Sequence, residues 1–247
     1  MRIFILTLAS LFALFAQQNT VVKHRAAAGV PLTGTFHSGS HCITGQASCE
    51  MASPLAVTVG DLILCYVSTT TVPNGAPASC SDSDGDVFSP LAGPTATTDG
   101  VSSIGELLAA TASVTNASEA VTATVSSSSN YMSGAAIALT LSHSPTLDQH
   151  PAAGQYATTA MTTGTTGATA QASEIAVAGY SVKNGAGGGV TPIPSTVAEN
   201  CQWSSSGQGN QSDTFLCWQQ LSAAGTYQGT ATASVSETGV GHIVTFK

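Results

Sequence analysis

Asp82-Ser83-Asp84-Gly85-Asp86 places three carboxylates at alternate positions around one glycine. Oxygen ligands at that density can wrap a hard cation such as calcium. The loop is not an EF-hand: its glycine stands at the fourth position instead of the sixth, and no glutamate occupies the twelfth. The pentapeptide reads first as a turn, because Asp-Gly between strand-like flanks favours a type I′ hairpin. A calcium ion on Asp82, Asp84 and Asp86 is compatible with that turn.

The large aromatics offer a second chemistry. Trp203 and Trp218 stand beside Cys201 and Cys217, with Tyr180, Phe215 and Tyr227 in the same half of the chain. Exposed and coplanar, Trp203, Trp218 and Tyr227 could stack on the rings of a neutral polysaccharide; buried, they would pack on a disulfide. Period-two alternation puts Trp203 on the face of Cys201 and Trp218 opposite Cys217, which makes Trp218 the candidate for exposure.

Six cysteines, Cys42, Cys49, Cys65, Cys80, Cys201 and Cys217, form an even set. Fifteen pairings exist on paper. Cys42–Cys49, Cys65–Cys80 and Cys201–Cys217 are preferred, since each closes a short loop between neighbouring segments. A metal cluster of His37, His41, Cys42 and Cys49 would lack any Cys-x-x-Cys pair. The sequence has no Gly-x-Ser-x-Gly, no His-Glu-x-x-His and no phosphate-binding glycine loop. Glu106, Glu119, Glu174, Glu199 and Glu237 lack special neighbours, and His143, His150 and His242 are isolated. No enzyme is expected. Asn116-Ala117-Ser118 and Asn210-Gln211-Ser212 are sequons that a glycosylating host could use.

Composition narrows the partners. Charged residues make up 7% of the chain, the formal net charge is -8, and between Ala26 and Phe246 the sole basic residue is Lys183. Nucleic acids and anionic membrane surfaces are bound by Lys and Arg, so both are excluded as partners. Met1-Arg2 followed by an apolar run to Phe15, with Ala16 at its end, reads as a signal peptide over 1–16. The run is shorter than the roughly 20 residues a spanning helix needs. A secreted or cell-surface chain without a membrane span is expected, and in that compartment the cysteines oxidise to disulfides.

The elements that must position these residues are strands. Short runs rich in Val, Thr, Ile and Ala alternate with Gly, Asn, Ser and Pro clusters. Strands are expected over 55–59, 61–69, 78–82, 87–90, 103–111, 120–126 and 134–141. The second set covers 168–172, 174–183, 196–204, 213–221, 227–235 and 240–246. The sets echo each other: Ser173-Glu174-Ile175-Ala176-Val177-Ala178 repeats the character of Gly60-Asp61-Leu62-Ile63-Leu64-Cys65. An echo on this scale means one supersecondary unit used twice around a shared core. The expected fold is all-β: a two-sheet antiparallel sandwich of jelly-roll type, built from halves 54–141 and 167–247 in one domain, 54–247. A connector spans 142–166, and 17–53 is a polar, irregular arm or N-terminal edge segment. Leu62 to Val67 is apolar on both faces, the mark of a central strand covered on both sides or placed against an arm.

The Gly60-Asp61-Leu62-Ile63 strand, the run from Ser81 to Phe88 and the later Ala136-Ile137-Ala138-Leu139 strand resemble secreted bacterial β-sandwich surface proteins that are mostly uncharacterised. The likeness is best over 57–141. It implies a fold and an extracellular setting, not an activity. The expected role is structural: a subunit that associates with copies of itself in an extracellular filament or surface assembly. The alternative is a module that binds neutral carbohydrate.

Overall fold

The computed structural model describes residues 30–70, 78–96, 104–126, 131–184, 192–204 and 211–247. Their regular structure is all β, in antiparallel sheets packed as a sandwich. One large sheet has the order β1 (Gly34–Thr44), β10 (Tyr131–Leu141), β4 (Leu62–Thr70), β7 (Ile104–Thr111), β6 (Ser89–Ala96). The other runs β11 (Leu147–Gln149), β17 (Gln228–Phe246), β13 (Ile175–Asn184), β16 (Gln211–Gln220), β15 (Glu199–Ser204). In that sheet β12 (Gly154–Thr165) and β14 (Pro192–Thr196) also pair with β17. Two small sheets complete the fold: β2 (Ser48–Glu50), β9 (Val121–Val125) and β5 (Ala78–Asp82); and β3 (Leu55–Val57) with β8 (Asn116–Glu119).

The two large sheets stack face to face, with β4 over β13, β10 over β16, β7 over β17 and β1 over β15. Alternation along each central strand supplies both of its faces. Leu62, Leu64 and Tyr66 of β4 meet Ile175, Val177, Leu216 and Trp218 between the large sheets. Ile63, Cys65 and Val67 point the other way, onto Leu55, Val121 and Ala123 of the small sheets. In the second half, Ala176, Ala178, Tyr180 and Phe215 are covered by Met161 of β12 and by Ala231 and Ala233 of β17. Each half therefore has an apolar layer of its own, and a third layer joins the halves.

The internal echo is carried down to single hydrogen bonds. In each half the central strand lies between corresponding partners, β10 and β7 around β4, β17 and β16 around β13. Asp61 Oδ2 accepts the N–H of Thr58 at 2.8 Å, and Glu174 Oε1 accepts that of Gln171 at 2.9 Å. Both acceptors reach three residues back along the chain. Ala112 N–H donates to the Asp61 carbonyl, and Leu221 N–H donates to the Glu174 carbonyl.

Several segments differ from expectation. Of the two readings of 17–53, an irregular arm or an edge segment, the described part takes the second: β1 is the edge strand of the first large sheet, in register with β10 from Gly34↔Leu141 to Thr44↔Met132. The 142–166 connector holds β12, whose register runs from Gly154↔Gly241 to Thr165↔Gln228 of β17. Threonines mask its inward set, Tyr156, Met161 and Thr163, all of them buried. The expected strands over 227–235 and 240–246 are one continuous strand, β17. Residues 168–172 form no strand, and 196–204 is divided between the end of β14 and β15. The leader expected over 1–16 lies outside the described residues. Among the described residues no helix is long and apolar enough to cross a membrane.

The three preferred disulfides are present. Cys42–Cys49, Cys65–Cys80 and Cys201–Cys217 have Cα–Cα separations of 6.0, 6.6 and 4.2 Å. Cys65–Cys80 ties the large sheet to the small one through β4 and β5, and Cys201–Cys217 ties edge strand β15 to β16.

Candidate metal centre

The Asp82–Asp86 turn does not join two paired strands. β5 pairs with β9, whereas β6 pairs with β7, so the turn carries the chain from a small sheet to a large one. Its shape is set locally: Asp82 Oδ1 accepts the N–H groups of Gly85 at 2.8 Å and Asp86 at 2.9 Å, and Gly85 takes φ +82°. A residue without Cβ adopts that angle freely. Ser83 N–H donates to the Ala120 carbonyl, which zips the turn to the segment between β8 and β9.

That zipper delivers a carboxylate the turn itself does not contain. Ligand oxygens of Asp82, Asp86 and Glu119 all lie within 4.8 Å of one another. Glu119 ends β8 and is completely buried. Neither of its carboxylate oxygens, nor Asp82 Oδ2, accepts a hydrogen bond from a described residue. Asp86 is half-buried and accepts the Ser113 N–H at 3.1 and 3.2 Å. Asp84, expected beside Asp82 and Asp86, is turned away: its Oδ2 accepts the side-chain amide of Asn116 at 2.9 Å. Burial pushes the Glu119 carboxyl up to about 8, assisted by proton sharing with Asp82 and by the charges of Asp82, Asp84 and Asp86. The arrangement can hold a proton or a cation. A hydrolytic carboxylate pair needs a substrate between its members, and the enclosed Glu119 offers no such access.

No protein-family model, curated protein or solved structure matches this chain.

The tryptophans are placed opposite to expectation. Trp218 is buried at 3% exposure, whereas Trp203 is 50% exposed. Alternation was read correctly along each strand, but both faces of β16 are covered, so lying opposite Cys217 puts Trp218 against Ile175 and Leu216. Trp203 lies on edge strand β15, beyond the cover. Trp218 is thereby removed as a glycan contact. Tyr227 is half-buried and lines a cleft of about 290 Å³ with Ser195, Thr196, Val197, Gln219 and Leu221. Its hydroxyl donates to the Ala223 carbonyl. Asn116 is half-buried and Asn210 lies outside the described residues.

His37 and Cys42 do not share a site. His37 Nδ1 pairs with buried Asp61 Oδ2 at 2.7 Å, while Cys42 and Cys49 are bonded to each other. An Asp–His pair could orient an imidazole for base catalysis, but no described hydroxyl or thiol is hydrogen-bonded to the other ring nitrogen.

Sequence reading missed a polar inlay where the halves meet. Tyr66 reaches across from β4 through a slot left by Gly105 and Gly179, and its hydroxyl meets His242 Nδ1 at 2.8 Å. His242 Nε2 meets Thr95 Oγ1 at 3.0 Å. Beside them Ser68 bonds to both Ser181 and Ser212, and Ser133 bonds to Thr214 at 2.6 Å. Burial lowers His242 to about 4. Apart from half-buried Thr95 these groups are buried, and together they specify how the halves dock. The only hints in sequence were isolated serines in apolar strands, which do not name their partners.

Proposed function

We propose that this chain is a secreted structural protein that associates with copies of itself through its sheet edges. The observation that carries the reading is the pair of edges on one side. β15 lies over β1, and both are outermost strands without a proline. Edge strands present N–H and C=O groups to any complementary strand, and proteins blunt them with Lys or Pro; on β1 the His41 carbonyl already accepts the Ala52 N–H. β6 is blunted in that way by Pro90 and Pro94. β1 and β15 hold no Lys, and each exposes an apolar side chain, Ile43 at 37% and Trp203 at 50%. The three disulfides fit an extracellular setting.

Sedimentation velocity on the purified chain and on an Ile43→Lys/Trp203→Lys variant tests this. The parent should form species larger than one chain as concentration rises, and the variant should sediment as a monomer. Unchanged association in the variant would remove these edges from the interface. A neutral-polysaccharide reading keeps one supporting observation, the uncharged cleft beside Tyr227. It lacks the three-aromatic strip it needs.

A further inference from the structure

We propose that Asp82, Asp86 and Glu119 bind a hard divalent cation, calcium in preference to magnesium, which ties the turn after β5 to the end of β8.

The first ground is the state of Glu119. A buried carboxylate is normally held by hydrogen bonds or an ion pair, because stripping it of water costs several kcal/mol. Glu119 is fully buried, no N–H or O–H donor of the described residues hydrogen-bonds to either of its oxygens, and they face the carboxyls of Asp82 and Asp86. Asp82 contributes a third buried oxygen without a donor, Oδ2, while its Oδ1 is used to hold the turn. Three negative groups cannot share so small a space without positive charge or protons. The nearest alternative ligand, Asp84, is engaged with Asn116.

The second ground is spacing. Calcium takes oxygen ligands at about 2.3–2.6 Å, so two oxygens on opposite sides of one ion stand at most about 5 Å apart. The 4.8 Å limit on the three carboxylates fits one shared ion. Glu119 can offer two oxygens, Asp82 one and Asp86 one or two, and Asp86 is open enough for water to complete the shell. An all-oxygen set of this kind selects against zinc and copper. Magnesium demands near-ideal octahedral geometry and keeps most of its water, which an enclosed Glu119 does not accommodate.

The alternative is a proton held between Glu119 and Asp82, and the test separates the two. The full chain, treated with chelator and exchanged into buffer at pH 7.5, is titrated with calcium chloride by calorimetry and by thermal unfolding. One calcium per chain should bind, with a dissociation constant of about 10⁻⁵–10⁻³ M, the range from sensors to extracellular modules. The melting temperature should rise with calcium and far less with magnesium. Glu119→Gln mimics the protonated acid and so should still fold, but its calcium affinity should fall at least tenfold. Asp84→Asn should retain the parental response. Absence of a calcium response in the parent, or an unaltered response in Glu119→Gln, would overturn the site and leave the cluster as a shared proton.

Discussion

Acid should loosen the contact between the halves through His242, by an amount that its surroundings set. Its ring is 1% exposed and hydrogen-bonded on both nitrogens, to Tyr66 and Thr95. Burial lowers it from 6.5 to about 4 in the folded chain. The unfolded chain therefore takes up the proton first as pH falls. Stability is retained above about 6.5 and lost progressively as pH drops through 4. At ~1.4 kcal/mol per pH unit, that gap is worth about 3 kcal/mol between pH 7 and pH 4. Glu106, Glu119 and Glu174 are raised by burial and act with the opposite sign, favouring the folded chain as pH falls. They are common to a variant at His242, so the comparison cancels them. Gln at this position can still accept from Tyr66 and donate to Thr95, but it does not titrate. Denaturant unfolding of the parent and of His242→Gln at pH 7 and pH 4 isolates the imidazole. The parent should lose about 3 kcal/mol more than the variant over that interval. Equal losses in the two proteins would refute the reasoning, since they would mean that the ring is not kept neutral by burial.

The docking slot and the two tryptophans give further tests. A Cβ on Gly179 would lie 2.2 Å from Tyr66 Cδ2, so Gly179→Ala should displace the Tyr66 ring and cost about 1–3 kcal/mol in denaturant unfolding. Trp218→Ala should cost about 3–5 kcal/mol, as expected for emptying a buried aromatic site. Trp203→Ala should change stability by less than about 0.5 kcal/mol. Reversal of that order would mean that Trp203, and not Trp218, is the ring packed in the core.

The strand character of β4 and β13 was legible from apolar residues on both faces, and that of β16 from Thr214, Phe215, Cys217 and Trp218. The disulfides were legible because each loop is short. The echo between Asp61 and Glu174 was visible as a likeness of neighbouring residues, although the matched hydrogen bonds were not. What failed did so for physical reasons. β12 pairs with β17 from Gly154 to Thr165 through two register shifts, and five of its twelve residues are threonine, so its buried set was hidden in a polar run. Trp218 could not be placed by alternation, since which face of a strand is covered depends on sheets far along the chain. Glu119 was legible only as an isolated acid, because it joins Asp82 through the pairing of β5 with β9 and the zipper at Ser83 and Ala120. The turn at Asp82 was recognised, but its partner strand was not.

The central claim is that copies of this chain join through the edges formed by β1 and β15. Electron microscopy of the purified chain at increasing concentration tests it most directly. Ordered oligomers or filaments, with the β1–β15 side at every contact, are the predicted result. Isolated particles the size of one chain at every concentration would contradict it.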